Sequence, residues 1–224
     1  MISVNYKELF HWANEFHRKY KDEEYKRSLL CKDVWHYPAT ITIRQTKKVV
    51  IPFLHKWAGM GRVVGKGKAG RLTGALKRAA PLFHVLADSR LEDISFCHSI
   101  NVQGKRRTVA DIIKEIFDEL SNVAKWTATS KIMHMVNPHL FVMWDQEIRE
   151  KAGCWHNAEG YLNFMSRVQQ RFKEVINSYC TNHGCSRVDA VKQISDKYGK
   201  PLTKLMDENN WLRIKKKRDP HYVP

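Results

Sequence analysis

The chain has 224 residues, 43% of them hydrophobic and 28% charged, which is the composition of a globular protein with length enough for a sizeable core. Its 39 lysines and arginines stand against 23 aspartates and glutamates, for a formal net charge of +16. A charge that far from neutral points to a polyanion partner, with nucleic acid ahead of an anionic membrane, the plainer reading being an organism whose proteins all run basic.

No run approaches the roughly 18 consecutive apolar residues of a membrane span. The opening residues, Met1-Ile2-Ser3-Val4-Asn5-Tyr6-Lys7-Glu8, lack a basic-then-apolar signal segment. Five cysteines, an odd number without framework spacing, suit a reducing compartment. The expectation is an intracellular protein, in the cytoplasm or nucleoid, with no membrane contact.

In chain order, Leu9, Trp12, Ala13, Phe16 and Tyr20 recur at helical spacing and predict an amphipathic helix over 4–21. Residues 22–37 are polar and then irregular. A second helix is expected over 40–57, although Thr40-Ile41-Thr42-Ile43 reads equally as a strand, and Pro52 should kink or end it. Residues 59–70 (GMGRVVGKGKAG) form a glycine-rich stretch carrying Arg62, Lys66 and Lys68. Glycines let backbone N–H groups approach phosphate, but the Walker spacing is missing, so a phosphate clamp and a plain solvated loop both remain open. A helix is expected over 71–86, then a short apolar segment and a basic turn with Lys105, Arg106 and Arg107. Thr108-Val109-Ala110-Asp111 has the form of a capping box opening a helix to Leu120. Further helices are expected over 159–179, 186–198 and 202–211, followed by a basic tail over 215–224.

The most informative stretch is 125–149. A small-residue approach leads into a short apolar helix carrying Lys131, which Asn137-Pro138 terminates. Asp145 then follows an apolar and aromatic run and precedes Gln146-Glu147-Ile148-Arg149, which places it at a helix start, where its carboxylate can accept backbone N–H groups. One ammonium and one carboxylate thus lie fourteen residues apart (145 − 131) on adjoining helix ends.

Thr129-Ser130-Lys131-Ile132-Met133 and Phe141-Val142-Met143-Trp144-Asp145-Gln146-Glu147-Ile148-Arg149 together resemble the active-site segment of the helix-hairpin-helix DNA glycosylases. There a lysine opens the helix after the hairpin and an aspartate begins the next helix. The glycine-rich hairpin of the family is replaced here by Trp126-Thr127-Ala128-Thr129-Ser130, and the lysine-to-aspartate spacing is shorter. Helical patterns dominate the chain and predict a mostly α fold, like that of these glycosylases, either one undivided unit over 1–224 or two helical lobes with a cleft between them. The lobes would be about 1–70 with the helices of 186–211, and about 71–180 with the catalytic segment.

It also implies base-excision chemistry on lesion- or mismatch-bearing double-stranded DNA by a monomer, without a cofactor. Asp145 would stabilise positive charge developing on the sugar. Lys131 would attack C1′ and form a Schiff base, making the enzyme a lyase as well. Trp126, Phe141, Trp144 and His134 are candidates to hold a flipped base. Lys125 and Arg149, with Arg62, Lys66, Lys68, Lys105, Arg106 and Arg107, are candidates for phosphate. Each has a plainer reading: Asp145 as an N-cap, Lys131 as a surface lysine, the aromatics as core and His134 as a satisfied structural histidine.

No metal is expected. Cys180, His183 and Cys185 lack zinc-site spacing, and no clustered Asp/Glu pair suits a two-metal nuclease. The alternative to the enzyme is a non-catalytic helical nucleic-acid-binding protein.

Overall fold

The structure is a computed structural model describing residues 5–56 and 66–215, at positions 66 and 215 the backbone alone. Arg62, most of the glycine-rich stretch, the Lys66 side chain and the tail beyond 215 lie outside the described residues.

Capping residues set most helix starts. Asn5 accepts the Glu8 N–H and opens α1 (Tyr6–Lys19), which buries Leu9, Ala13 and Phe16, the stripe its periodicity predicts. The segment 22–37 is more ordered than its polarity suggests: it forms α2 (Glu23–Leu29) and α3 (Lys32–Trp35). These helices are too short to stand alone and hold by packing, through buried Tyr25, Val34 and Trp35. The Trp35 indole donates to the Ser28 carbonyl at 3.0 Å.

The ambiguous segment after residue 40 is helical. A Thr42–Gln45 capping box opens α4 (Ile43–Gln45), which runs through a π turn at Thr46–Val50 into α5 (Ile51–Lys56). Pro52 therefore neither ends nor interrupts the helix. The widened turn directly before it, in which the Ile51 N–H reaches the Thr46 carbonyl, makes room for a ring that an ordinary α turn would reject.

Helix α6 (Ala69–Val85) packs on α7 (Val109–Val136). Between them the basic turn is a β-hairpin: β1 (Ser99–Val102) pairs antiparallel with β2 (Lys105–Thr108), Val102 opposite Lys105. Gln103 and Gly104 both have positive φ, as a two-residue hairpin turn requires. Thr108 and Asp111 form the expected capping box of α7.

Helix α7 is the two expected helices, the one to Leu120 and the short one carrying Lys131, run together across a single residue. Lys125 stands at φ 54°, ψ 158°, so segments 109–124 and 126–136 meet at an angle through one residue. Only glycine enters this region without cost, and the exposed Lys125 side chain makes no packing gain in exchange. Lys125→Gly is expected to stabilise the protein by about 1 kcal/mol, the relieved strain less glycine's added chain entropy. Thermal unfolding should show it as a rise of roughly 2–4 °C. A lower Tm would contradict the strained turn.

Helices α8 (Gln146–Lys151), α9 (Ala158–His183), α10 (Arg187–Tyr198) and α11 (Leu202–Asn210, continuing through a π turn at Trp211–Lys215) complete the chain. Helix α1 packs on α9 and α11, and one continuous apolar core includes residues from Tyr6 to Met206. The fold is mostly helical, and among the described residues no helix is long and apolar enough to cross a membrane.

Candidate functional site

The second segment of α7 and the N-terminus of α8 are joined by a small polar clamp. The buried Ser130 hydroxyl accepts the Trp144 N–H at 3.3 Å, and its own proton points between the Thr127 carbonyl at 3.0 Å and the Trp144 carbonyl at 3.3 Å. Ser130 precedes Lys131 and Trp144 precedes Asp145, so the clamp brings the backbone at those two residues together. Asn137 closes the same segment from the other end. Its amide donates to the carbonyls of Leu86, Ala87 and Ser89, and its oxygen accepts from the backbone of His139 and Leu140. The Asn-Pro break is thus a fully satisfied anchor.

Asp145 caps α8, accepting the Ile148 N–H at 3.1 Å from an extended backbone. Asp145 and Lys131 both line a cavity of about 510 Å³, a volume ordinary for a small-ligand site. Phe16, Tyr20 and Trp211 add aromatic wall, Lys19, Lys21 and Lys56 add positive charge, and Trp144 also lines the cavity. A larger cavity of about 810 Å³ between the 36–40 loop, α6 and the end of α7 contains neither Lys131 nor Asp145.

A buried ion cluster at the cavity's base was not anticipated from the sequence. Lys204 meets Asp22 at 3.2 Å, Asp207 at 3.4 Å and Glu208 at 3.1 Å, while Lys200 meets Asp22 at 3.0 Å and also Glu208. Burial alone would lower the Lys204 pKa, but Glu208, Asp207 and Asp22 outweigh it and hold the ammonium charged. Burial raises the Asp207 carboxyl against the pull of Lys204 and Lys131, and raises Glu208 likewise. The one signal in the sequence was the spacing of Lys204, Asp207 and Glu208 on a single helix face. That spacing looks the same on a solvated surface.

No protein-family model, curated protein or solved structure matches the chain.

The candidates for the base pocket divide. Trp144 is fully buried, ringed by Phe117, Tyr161 and Phe164, and also lines the cavity. Phe141 and His134 are enclosed in the core and line neither cavity. His134 Nδ1 donates to the Phe141 carbonyl at 2.8 Å, so Nε2 accepts the Tyr25 hydroxyl at 2.8 Å. Burial pushes its pKa down to about 3, and the ring is a neutral strut. Trp126 lies against the His156 ring, 4.6 Å between centroids, and lines neither cavity. The aromatic wall that does face Lys131 comes instead from α1 and the end of α11.

Among the phosphate candidates, Arg149 is largely buried and committed to its own turn, donating to the Cys154 carbonyl at 2.9 Å and pairing with Glu150 at 3.0 Å. Arg107 pairs with Glu115 at 2.9 Å. Lys105 and Arg106 stand exposed on the hairpin, Lys125 is exposed, and Lys68 is half-buried at the start of α6.

Proposed function

We propose that the chain is a DNA glycosylase of the helix-hairpin-helix kind that also cleaves the strand, with Lys131 as nucleophile and Asp145 as the stabilising carboxylate. The observation that supports this reading is that Lys131 and Asp145 line the same cavity of about 510 Å³, in a chain of net charge +16. Breaking an N-glycosidic bond builds positive charge on the sugar, which a fixed carboxylate stabilises best where water is scarce. A lysine amine on the same wall can attack C1′ and, after the ring opens, hold the sugar as a Schiff base. The substrate is a flipped base from duplex DNA, stacked against the aromatic wall.

The test is borohydride trapping on duplexes bearing an abasic site or 8-oxoguanine. The wild type is expected to give a covalent adduct, and Lys131→Gln none. Salt-sensitive duplex binding with neither adduct nor base release would favour the non-catalytic binder, whose best support is exposed Lys105 and Arg106 on the hairpin.

A further inference from the structure

The larger cavity, of about 810 Å³, shares no lining residue with the one that holds Lys131 and Asp145. Three pieces of chain wall it: the 36–40 loop, one face of α6, and the stretch that follows α7. Each piece contributes one proline (Pro38, Pro81, Pro138) and one imidazole (His36, His84, His139). Prolines stiffen the walls and donate no N–H, and a stiff, largely apolar hollow of this size with a few convergent polar groups is the form of a small-ligand site. The loop is closed on itself, since the Thr40 N–H and hydroxyl both donate to the Tyr37 carbonyl, at 3.0 and 3.1 Å. Tyr37 is nevertheless 63% exposed, an aromatic ring at the cavity that no other part of the chain covers.

Pro81 has a second effect. It stands inside α6 and brings no N–H, so the Lys77 carbonyl one turn back lacks the helical donor that any other residue at 81 would supply. Lys77 and Pro81 both line the cavity, which places this acceptor at its wall. The charge around the cavity is unbalanced as well: the Lys77 ammonium and three imidazoles stand against one carboxylate, Asp88. Those imidazoles come from separate elements and are not grouped as metal ligands among the described residues.

A guest suited to these walls has a flat ring for Tyr37, an N–H for the Lys77 carbonyl, and an anion for the Lys77 ammonium and the imidazoles. We propose that this cavity binds a nucleoside monophosphate unit, free or as an unstacked nucleotide of a single strand. The base lies against Tyr37 and the prolines, and the phosphate turns toward Lys77 and the histidines. The site uses none of the residues around Lys131, so it stands or falls separately from the glycosylase reading.

The experiment is calorimetric titration of the full chain with deoxyguanosine monophosphate, deoxyguanosine and inorganic phosphate. The monophosphate should bind at one site and about tenfold or more tighter than either fragment, because it alone engages both halves of the cavity. Tyr37→Ala should weaken it by about tenfold through lost stacking, and Lys77→Glu by about tenfold or more through lost pairing with the phosphate. Both residues are exposed, so neither change touches the core. Pro81→Ala returns an N–H to the Lys77 carbonyl and removes no polar side chain, and it should weaken the monophosphate by about threefold or more. A competing single-stranded oligonucleotide separates the two sources: displacement at lower concentration than the free monophosphate assigns the site to a strand, and no displacement assigns it to the free nucleotide. Absence of monophosphate binding, equal affinity for nucleoside and monophosphate, or wild-type affinity in both Tyr37→Ala and Lys77→Glu overturns the proposal. Should Pro81→Ala disturb α6, the two surface variants decide alone.

Discussion

Asp145→Asn is expected to slow base release by about 10²–10⁴-fold while leaving the melting temperature nearly where it was. The two readouts separate because the capping role of Asp145 is shown and its catalytic role is proposed. As the cap of α8 it accepts the Ile148 N–H, and asparagine caps a helix about as well. As a carboxylate on the cavity wall it carries a charge that asparagine lacks. Asp145→Ala should lose both, with stability falling by about 1 kcal/mol. Were the residue a cap alone, the asparagine variant would match wild type on every duplex the wild type cleaves. Urea melts and single-turnover base release on the two variants decide the matter.

The largest stability effect is expected at Lys204. Its ammonium touches three carboxylates and lies 4.9 Å over the Phe16 ring and 5.2 Å over the Tyr25 ring. Lys204→Met keeps much of the side-chain volume and removes the charge, taking one ammonium away from Asp22, Asp207 and Glu208. Removing one member of a buried pair costs about 3–5 kcal/mol, chiefly through the charges left uncompensated. The loss should depend on pH with a definite sign. Asp207 and Glu208 are raised in the folded state, so their contribution is fully present at low pH and is lost as pH rises through their folded values. Without Lys204 those values rise further, so the variant should be weakest at neutral pH and recover part of its deficit toward pH 5. Denaturant midpoints at pH 5 and pH 7.5 test this, and a deficit that grows on acidification would count against the cluster.

The parts legible in the sequence were those with local causes. The Asp145 cap, the Thr108–Asp111 box and the Asn137-Pro138 stop are each written in a few adjacent residues, and each stands where its pattern predicts. Parts that depend on which face turns inward were not legible. The 126–136 segment is apolar nearly all round, so periodicity cannot separate core from cavity wall, and His134 went inward while Lys131 reached the cavity. Helices α2 and α3 are held by buried Tyr25 and Trp35, contacts far off in sequence. The turn at Lys125 has no glycine to announce it, and the charges of α11 read as surface until the chain folds over them.

The Ser130 clamp has a consequence for what the segment between it and Asp145 can tolerate. Both ends of residues 130–144 are stapled by backbone-directed hydrogen bonds, so the stretch is a closed ring of fixed circumference. Its side chains can drift as far as packing permits. Its length cannot, because a single inserted residue would bring a different carbonyl and N–H to Ser130 and swing the carboxylate away from the amine. Insertion scanning across 138–143 should therefore be far more damaging than alanine scanning over the same positions.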